Sequence, residues 1–337
     1  MRITFLTPHI GSSGGVRIIM GYAHRLAQKG HQVTVICPVK NRLSAFYHNL
    51  LKTRPAWTEL AAGLKFVPAL AEAYIPKADA IVATAWQTAG IVNKLPADRG
   101  RKFYLIQHYE SLFHGDKAEV DATYRYPFKQ IVVSTWLKEI MQKQFNSHAE
   151  LIEDPVDLDV LYPTRSAFNK DKVIGLLNHP WEWKGTAEGI ECFKRAQKQI
   201  PGIKLIMFGA QPNTHNVPCE YYCNPDRNTL RAVLNKIDIF LSASWKEGFG
   251  LTAAEALACG CGLVTTDNGG CRDYAMHEQT ALVSPEKDLV GLTNNLIRLI
   301  NDERLLTEIA HKGRLHIQRF SWGNAVNKLE RILNAVS

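Results

Sequence analysis

Two glutamates, Glu247 and Glu255, stand out for their chemistry and spacing in the segment Glu-Gly-Phe-Gly-Leu-Thr-Ala-Ala-Glu. Gly248 and Gly250 fall between a strand-like run and a helix-like run, where helix N–H groups can bind a phosphate or sugar oxygen. Glycine leaves that approach open because it has no side chain. Carboxylates accept hydrogen bonds from vicinal hydroxyls of ribose or hexose rings. Taken alone, the pattern is more typical of an ordinary helix N-terminus with solvated acidic residues.

The segment resembles the Glu-x7-Glu signature of glycosyltransferase family 4, and similar stretches follow in order along nearly the whole chain. These stretches are Gly14-Gly15-Val16-Arg17, Gly30-His31-x-Val33-Thr34-Val35, Val133-Ser134-x-x-Leu137-Lys138, Pro155-Val156-Asp157, Asp238-x-Phe240-Leu241-Ser242 and Gly269-Gly270-x-x-Asp273. The last of them has Asp where the family usually has Glu. The number of ordered matches favours a functional interpretation of both glutamates.

The resemblance implies a GT-B fold, which is an α/β architecture of two facing Rossmann-like domains with parallel sheets and a cleft between them. It implies a retaining glycosyltransferase of hexosyl or deoxyhexosyl type, with a nucleotide-diphosphate-sugar donor and a glycan, lipid-linked or other glycoconjugate acceptor. No metal or bound cofactor is implied. Glu255 would hold the nucleotide ribose. Glu247 would be a catalytic residue that contacts the donor sugar and its phosphate, together with the backbone of Gly248, Phe249, Gly250 and Leu251.

The chain departs from the family where a Gly-Arg pair commonly follows the first strand of the second domain. Here Asn178 and His179 stand near the place of the arginine, followed by Lys184-Gly185. Lys184 is therefore the candidate cation for the diphosphate, with a solvated loop lysine as the alternative. Asn178 is a further donor-binding candidate, and Arg17 is a candidate for supplying the missing charge when the cleft closes.

In the first domain, the glycine loop at Gly14 and Gly15 would let the backbone approach the donor phosphate and the transferred sugar. A glycine-rich turn is weak evidence alone, because many βα units have one. His108 follows a strand-like run and is a candidate catalytic residue or sugar ligand, although the alignment also allows Gln107 at that position. In a retaining transfer without a covalent nucleophile, the departing phosphate oxygen would accept the acceptor's proton.

Alternating strand and helix patterns must position these residues. Strand-like apolar runs lie at 3–6, 33–37, 80–85, 103–107, 131–134, 173–177, 204–208, 237–241, 262–265 and 282–283. Helical spacing covers 16–27, 186–199, 251–259 and the tail from 290. The pattern predicts an acceptor-side domain over 1–157, with the tail from about 320 to 337 packing back on it, and a donor domain over 158–319.

The formal charge is +8, with 40 Lys and Arg against 32 Asp and Glu, and most of the excess lies in the first half of the chain. A stretch of mixed basic and aromatic residues contributes to it: Arg42, Phe46, Tyr47, Leu50, Leu51, Lys52, Arg54 and Trp57. The favoured interpretation is a core-facing helix with a solvated basic face. The alternative is peripheral contact with an acidic membrane or a lipid-linked acceptor.

Other classes fit less well. No Gly-x-Gly-x-x-Gly follows the first strand, which disfavours an oxidoreductase. No nucleic-acid module is recognisable, so nucleic acid is not an expected partner. The seven scattered cysteines lack zinc-site spacing. A nucleotide-sugar epimerase on the same fold is the remaining alternative. Without a recognisable signal peptide, the expected location is the cytoplasm, or the inner face of the membrane if the basic stretch binds there.

Overall fold

The structure, a computed structural model, describes residues 1–11, 13–55 and 57–335. The chain divides into two compact α/β units. One contains Met1–Asp154 and the described residues from Gly323 onward, and the other contains Pro155–Trp322.

The first unit is built on a parallel sheet. Its strands are β1 Arg2–Leu6, β2 Gln32–Pro38, β3 Gly63–Val67, β4 Ala80–Ala83, β5 Arg101–Ile106, β6 Lys129–Val132 and β7 Glu150–Leu151. They pair in parallel in the order β3-β2-β1-β4-β5-β6-β7. The helices between them are α1 Gly14–Gln28, α2 Arg42–Leu50, α3 Trp86–Lys94, α4 Lys117–Thr123 and α5 Thr135–Phe145. The strands up to β3 are added on one side of β1, and those from β4 onward are added on the other side. The β1–β4 pair is therefore the topological switch point.

The second unit repeats this plan. Its strands are β8 Val173–Leu177, β9 Lys204–Gly209, β10 Glu220–Cys223, β11 Ile239–Ser242, β12 Gly262–Thr266 and β13 Leu282–Ser284. Their order is β10-β9-β8-β11-β12-β13, again with parallel neighbours, so the switch point lies between β8 and β11. The helices are α6 Thr186–Gln199, α7 Arg227–Lys236, α8 Leu251–Ala258, α9 Leu289–Asn301 and α10 Glu303–Ile317.

A buried aspartate ties the two central strands of the second sheet together. Asp238 is fully buried, and its carboxylate accepts hydrogen bonds from the backbone N–H of Val173 at 2.8 Å and of Asn169 at 3.0 Å. Arg165 lies 3.4 Å from the same carboxylate. A buried charge is tolerated when it is paired and hydrogen-bonded in this way. Asp238 therefore fixes the starts of β8 and β11, whose other ends carry the candidate site.

The last helix, α11 Trp322–Asn334, packs on the first unit. Its buried side chains are Ala325, Val326, Leu329 and Leu333. Glu330 lies 2.8 Å from the His31 ring and also pairs with Lys29, while Lys328 pairs with Glu153 at 2.7 Å. Both apolar burial and ion pairs hold this helix.

The α/β fold with parallel sheets predicted from the sequence is confirmed. The interpretation of the stretch from Arg42 as a core-facing helix is wrong. Only Ala45 of α2 is buried, and the large apolar side chains of this helix are exposed. Their spacing places them on one side of the helix, and the sheet edge contacts the other side. None of the described helices is long and apolar enough to cross a membrane.

Candidate active site

The candidate site of the second unit lies at the carboxyl ends of β8, β11 and β12. Open parallel sheets bind ligands at this edge, next to the switch point. The loop after β8 carries Lys184, the loop after β11 carries Glu247, and the loop after β12 carries Asn268 and Gly269. Sheet topology therefore brings together three loops that are far apart in sequence.

Lys184 and Glu247 form an ion pair, with Lys184 Nζ donating to Glu247 Oε2 at 2.7 Å. Their side chains are 17% and 12% exposed, so both charges are largely shielded from water but still reach the surface. The Glu247 N–H donates to the carbonyl of Asn268 at 2.9 Å. Such partial burial strengthens electrostatic contacts with a ligand. The two sequence-predicted residues thus form one polar site.

His179 lies in the electrostatic field of this pair. Burial and the nearby charge of Lys184 lower the pKa of His179 to about 4, although Glu247 acts in the opposite direction. Its Nδ1 accepts the N–H of Trp181 at 3.2 Å. The lowered pKa favours the neutral imidazole, so His179 is a poor replacement for the cation that the missing arginine would have provided.

An aromatic ladder continues from His179. The His179 and Trp181 rings lie 4.8 Å apart, and Trp181 stacks on Trp183 at 4.8 Å with an interplanar angle of 25°. The Trp183 carbonyl accepts the N–H of Trp245, which ties this loop to the one after β11. The ladder forms an apolar wall on the loop that carries Lys184.

Asn178 is held within the unit. Its side chain is buried, and its Nδ2 donates to the Tyr221 hydroxyl at 2.9 Å. A Cβ atom at Gly209 would come within 2.2 Å of the Asn178 carbonyl oxygen, so the end of β9 packs closely against it. The side-chain amide of Asn178 thus helps to hold the start of the loop after β8 in place.

The turn at Gly248–Gly250 leads into α8. Gly250 has φ +88°, and a Cβ there would meet the Tyr274 hydroxyl at 2.4 Å, so this position needs glycine. Phe249 is buried against the rings of Tyr274 and Phe320, at 5.2 and 5.6 Å. Any ligand contact from Phe249 must therefore come from its backbone. Leu251 is the first residue of α8, and its N–H lies at the helix N-terminus.

Glu255 is buried in α8 at 2% exposure and pairs with a residue that the sequence motifs did not indicate. Arg227 Nη1 donates to Glu255 Oε1 at 2.5 Å, and the Arg227 guanidinium also lies 4.0 Å from Asp157. Arg227 is the first residue of α7, just after the Asp226 cap. No local signal marks Arg227, because its partner is 28 positions away in the sequence.

In the first unit, the glycine loop and the end of β5 meet. A Cβ at Gly15 would lie 3.1 Å from Gln107 Oε1, and that buried oxygen has no hydrogen-bond partner in the described part of the chain. Gly14 and Arg17 belong to the first turn of α1. His108 follows Gln107, with its ring 5.8 Å from that of Phe113. The glycine loop after β1 and Gln107, the residue before His108, therefore lie together at the carboxyl edge of the first sheet.

Glu110, two residues after His108, has an unusual environment. Burial raises its pKa to about 7, against the lowering effects of the Trp86 N–H and the Tyr104 hydroxyl. These groups donate to Glu110 Oε2 at 2.9 and 3.3 Å. Trp86 is the first residue of α3, so Glu110 joins this helix to the loop after β5. The sequence motifs gave no sign of this role.

The described residues include no group of three or more His, Cys, Asp or Glu side chains arranged to hold a metal ion. Positive charge in the site of the second unit comes from Lys184 and Arg227.

Comparison with known structures identifies the architecture as a GT-B fold. A TarM variant from S. aureus, bound to Fondaparinux, alpha-GlcNAc-glycerol and UDP, superposes with a TM-score of 0.81 at 11% identity over 99% of this chain and 100% of TarM. Anabaena HepE bound to UDP and glucose superposes with a TM-score of 0.79 at 14% identity over the full length of both chains.

At the sequence level, residues 163–316 match the family model of group 1 glycosyl transferases. The capsular polysaccharide biosynthesis glycosyltransferase CapM of Staphylococcus aureus is 27% identical over 177 residues, which cover 49% of this chain and 47% of CapM. The chain spans between about half and three fifths of the length of the relatives it matches first. These matches support a relationship to GT-B glycosyltransferases, most directly for the second unit.

Proposed function

We propose that this chain is a retaining, metal-independent glycosyltransferase. It moves a sugar, of hexosyl or deoxyhexosyl type, from a nucleoside-diphosphate donor to a glycan, lipid-linked or other glycoconjugate acceptor. The observation that carries the proposal is the Lys184–Glu247 pair beside the Gly248–Gly250 turn, at the carboxyl edge of the second sheet. A cation, a carboxylate and a helix N-terminus at one place suit a sugar linked to a diphosphate.

The second ion pair supports the same ligand. Glu255 lies four residues beyond the first residue of α8, which is about 6 Å along the helix axis. This separation suits an elongated ligand with its diphosphate near Lys184 and its ribose near Glu255. A carboxylate oxygen can accept more than one hydrogen bond, so Glu255 can bind a ribose hydroxyl while it stays paired with Arg227.

In the proposed reaction, the bond between the anomeric carbon and the diphosphate oxygen breaks as a bond to the acceptor hydroxyl oxygen forms on the same face. The acceptor's proton passes to the departing phosphate oxygen. Lys184 and the N–H groups of the Gly248–Leu251 turn stabilise the charge that develops on the diphosphate. Glu247 orients both Lys184 and the sugar. Gly14, Gly15, Arg17 and His108 are the candidates for binding on the side of the first unit.

The relatives support the ligand class. HepE is known with UDP-glucose, and TarM with UDP. Starch Synthase IV from Arabidopsis thaliana is known with ADP, so the nucleotide base varies within this fold. CapM is named for capsular polysaccharide biosynthesis, which supports a saccharide polymer as the product class.

The test is a thermal-shift and hydrolysis screen against a panel of UDP-, GDP-, ADP- and dTDP-sugars. At least one donor is expected to raise the melting temperature and to be slowly hydrolysed, and Glu255→Gln is expected to remove both effects. Proton NMR of the transferred sugar should then show the anomeric configuration of the donor. No response to any donor would contradict the proposal, and isomerisation of a donor without an acceptor would indicate an epimerase instead.

A further inference from the structure

Helix α2 presents an apolar face to solvent. Leu43, Phe46, Tyr47 and Leu50 follow the i, i+3, i+4, i+7 spacing that places side chains on one side of a helix. Their exposed fractions are 63%, 60%, 52% and 63%, and Leu51 at the helix end is 73% exposed. Large apolar side chains seldom gather on the surface of a soluble domain, and a contiguous exposed patch usually marks an interaction site.

The opposite face of α2 fixes this orientation. Asn49 Nδ2 donates to the carbonyl of Phe66 at 2.8 Å, and Asn49 Oδ1 accepts the Phe66 N–H at 2.9 Å. The His48 ring packs 4.8 Å from the Phe66 ring, and Ala45 is buried beside it. Asn49 therefore pairs with the backbone N–H and carbonyl of Phe66 on the edge strand β3. A rotation of α2 that hid its apolar face would break both hydrogen bonds.

Basic residues surround the apolar face. Lys40 and Arg42 lie at one end of α2, and Lys52 and Arg54 lie at the other. None of the four forms an ion pair with another described residue, although Arg54 donates a hydrogen bond to the Ala62 carbonyl. Residues 1–58 contain eight Lys and Arg residues and no Asp or Glu. No acidic side chain of this segment therefore offsets the positive charge around the patch.

The geometry points to α2 as an interfacial helix that docks the first unit on an anionic lipid bilayer. The apolar face of about two turns would enter the boundary between headgroups and acyl chains, while the four basic residues remain at the level of the lipid phosphates. The combination of apolar and cationic groups selects this occupant, because a neutral apolar partner would gain nothing from the basic rim. The inference goes beyond the proposed transfer reaction and does not depend on it.

Vesicle sedimentation of the full chain tests the proposal. The protein is expected to bind vesicles that contain 30% phosphatidylglycerol, to bind pure phosphatidylcholine much more weakly, and to be released progressively by salt. Phe46→Ser/Leu50→Ser should lower the partition coefficient more than about tenfold, since it removes two large apolar side chains from the face. Arg42→Glu/Lys52→Glu should lower it by a similar factor, because each basic residue near an anionic surface contributes about fivefold.

Matched controls come from the second unit. Leu315→Ser/Val290→Ser removes apolar side chains that are about equally exposed, and Lys194→Glu/Lys198→Glu makes the same charge change on α6. Both control variants should bind vesicles as the wild type does. Hydrogen exchange of the wild type should also show added protection over residues 42–54 when anionic vesicles are present, and this measurement requires no substitution.

Several outcomes would overturn the proposal. They are absence of binding to anionic vesicles, variants of α2 that bind within twofold of wild type, and protection located elsewhere in the chain. Dimerisation in the absence of lipid that Phe46→Ser/Leu50→Ser abolishes would assign the face to a second copy instead. Donor hydrolysis measured without vesicles reports on the proposed function separately, so failure of one does not imply failure of the other.

Discussion

At the scale of single residues, Lys184 is the group on which the proposed chemistry depends most. It is a largely shielded cation beside the start of α8, and its partner Glu247 is anchored through the carbonyl of Asn268. A preorganised charge of this kind acts on the leaving group without first having to reorganise water.

Lys184→Ala should therefore lower the rate of donor hydrolysis or transfer by about 100- to 1000-fold, the usual effect of removing one such stabilising contact. Lys198→Ala, at an exposed position of α6, is the control and should leave the rate unchanged. Steady-state kinetics with the donor identified by the screen provide the measurement. A rate for Lys184→Ala within threefold of wild type would exclude its role at the diphosphate.

The Arg227–Glu255 pair gives a prediction for stability. Arg227→Met leaves the buried Glu255 carboxylate without its cation, and because Arg227 is partly exposed we expect a loss of about 2 kcal/mol in the free energy of unfolding. The double variant Arg227→Met/Glu255→Gln should recover much of this loss, since no buried charge then remains. Urea denaturation of the four proteins measures the coupling. Strictly additive effects of the two substitutions would show that the pair is not coupled.

At the scale of elements, the loops after β8 and β11 are locked together by close backbone packing. Gly185 has φ +65°, and a Cβ at this position would lie 2.0 Å from the Ala243 carbonyl oxygen. The Ser244 hydroxyl donates to the Lys184 carbonyl at 3.3 Å in the same region. The position of Lys184 thus depends on the backbone of a neighbouring loop.

Gly185→Ala should lower the free energy of unfolding by more than about 2 kcal/mol, because both the left-handed backbone and the contact with Ala243 oppose a side chain. Gly90→Ala, inside α3 with no atom within 4 Å of the new Cβ, should instead be neutral or stabilise by up to about 1 kcal/mol. Thermal and urea denaturation of both variants provide the comparison. Equal effects at the two positions would contradict this account of the loop.

Buried strands and helices with a clear apolar face were the easiest elements to predict. The apolar run at Val173–Leu177 and the helical spacing at Thr186–Gln199 matched β8 and α6 at both ends. The half-exposed edge strand Glu220–Cys223 was missed, because its polar and aromatic residues form no continuous apolar run. The orientation of α2 was also missed, since helical spacing shows that an apolar face exists but does not show whether the core or solvent covers it.

At the scale of the whole molecule, the buried carboxyl group of Asp154 makes the stability of the fold depend on pH. Asp154 is the last residue of the first continuous segment, and it is buried with no hydrogen-bond partner for Oδ1 among the described residues. Burial raises the pKa of Asp154 to about 8, well above its ordinary value of 3.8. The folded chain therefore keeps a proton that the unfolded chain releases near pH 4.

This raised pKa predicts a pH-dependent stability. Between about pH 4 and pH 8 the folded state holds more protons than the unfolded state, so Asp154 makes the free energy of unfolding fall as the pH rises. Asp154→Asn should remove this contribution and be more stable than wild type at pH 8 by roughly 5 kcal/mol, with little difference near pH 4. Urea denaturation across this range tests it, with Asp159→Asn at an exposed position as the control. A wild-type-minus-variant difference that does not change with pH would contradict it.

The sequence alone determined the alternating parallel α/β plan, the resemblance to a glycosyltransferase family, and the residues that most deserve testing, Glu247, Glu255 and Lys184. These are local properties, because apolar period, turn glycines and motif spacing are read within short windows. The tertiary structure alone paired Arg227 with Glu255, lowered the pKa of His179 through burial and the nearby Lys184, and turned the apolar face of α2 to solvent. Each of these depends on which side chains meet across distant parts of the chain, and on how far water is excluded from them.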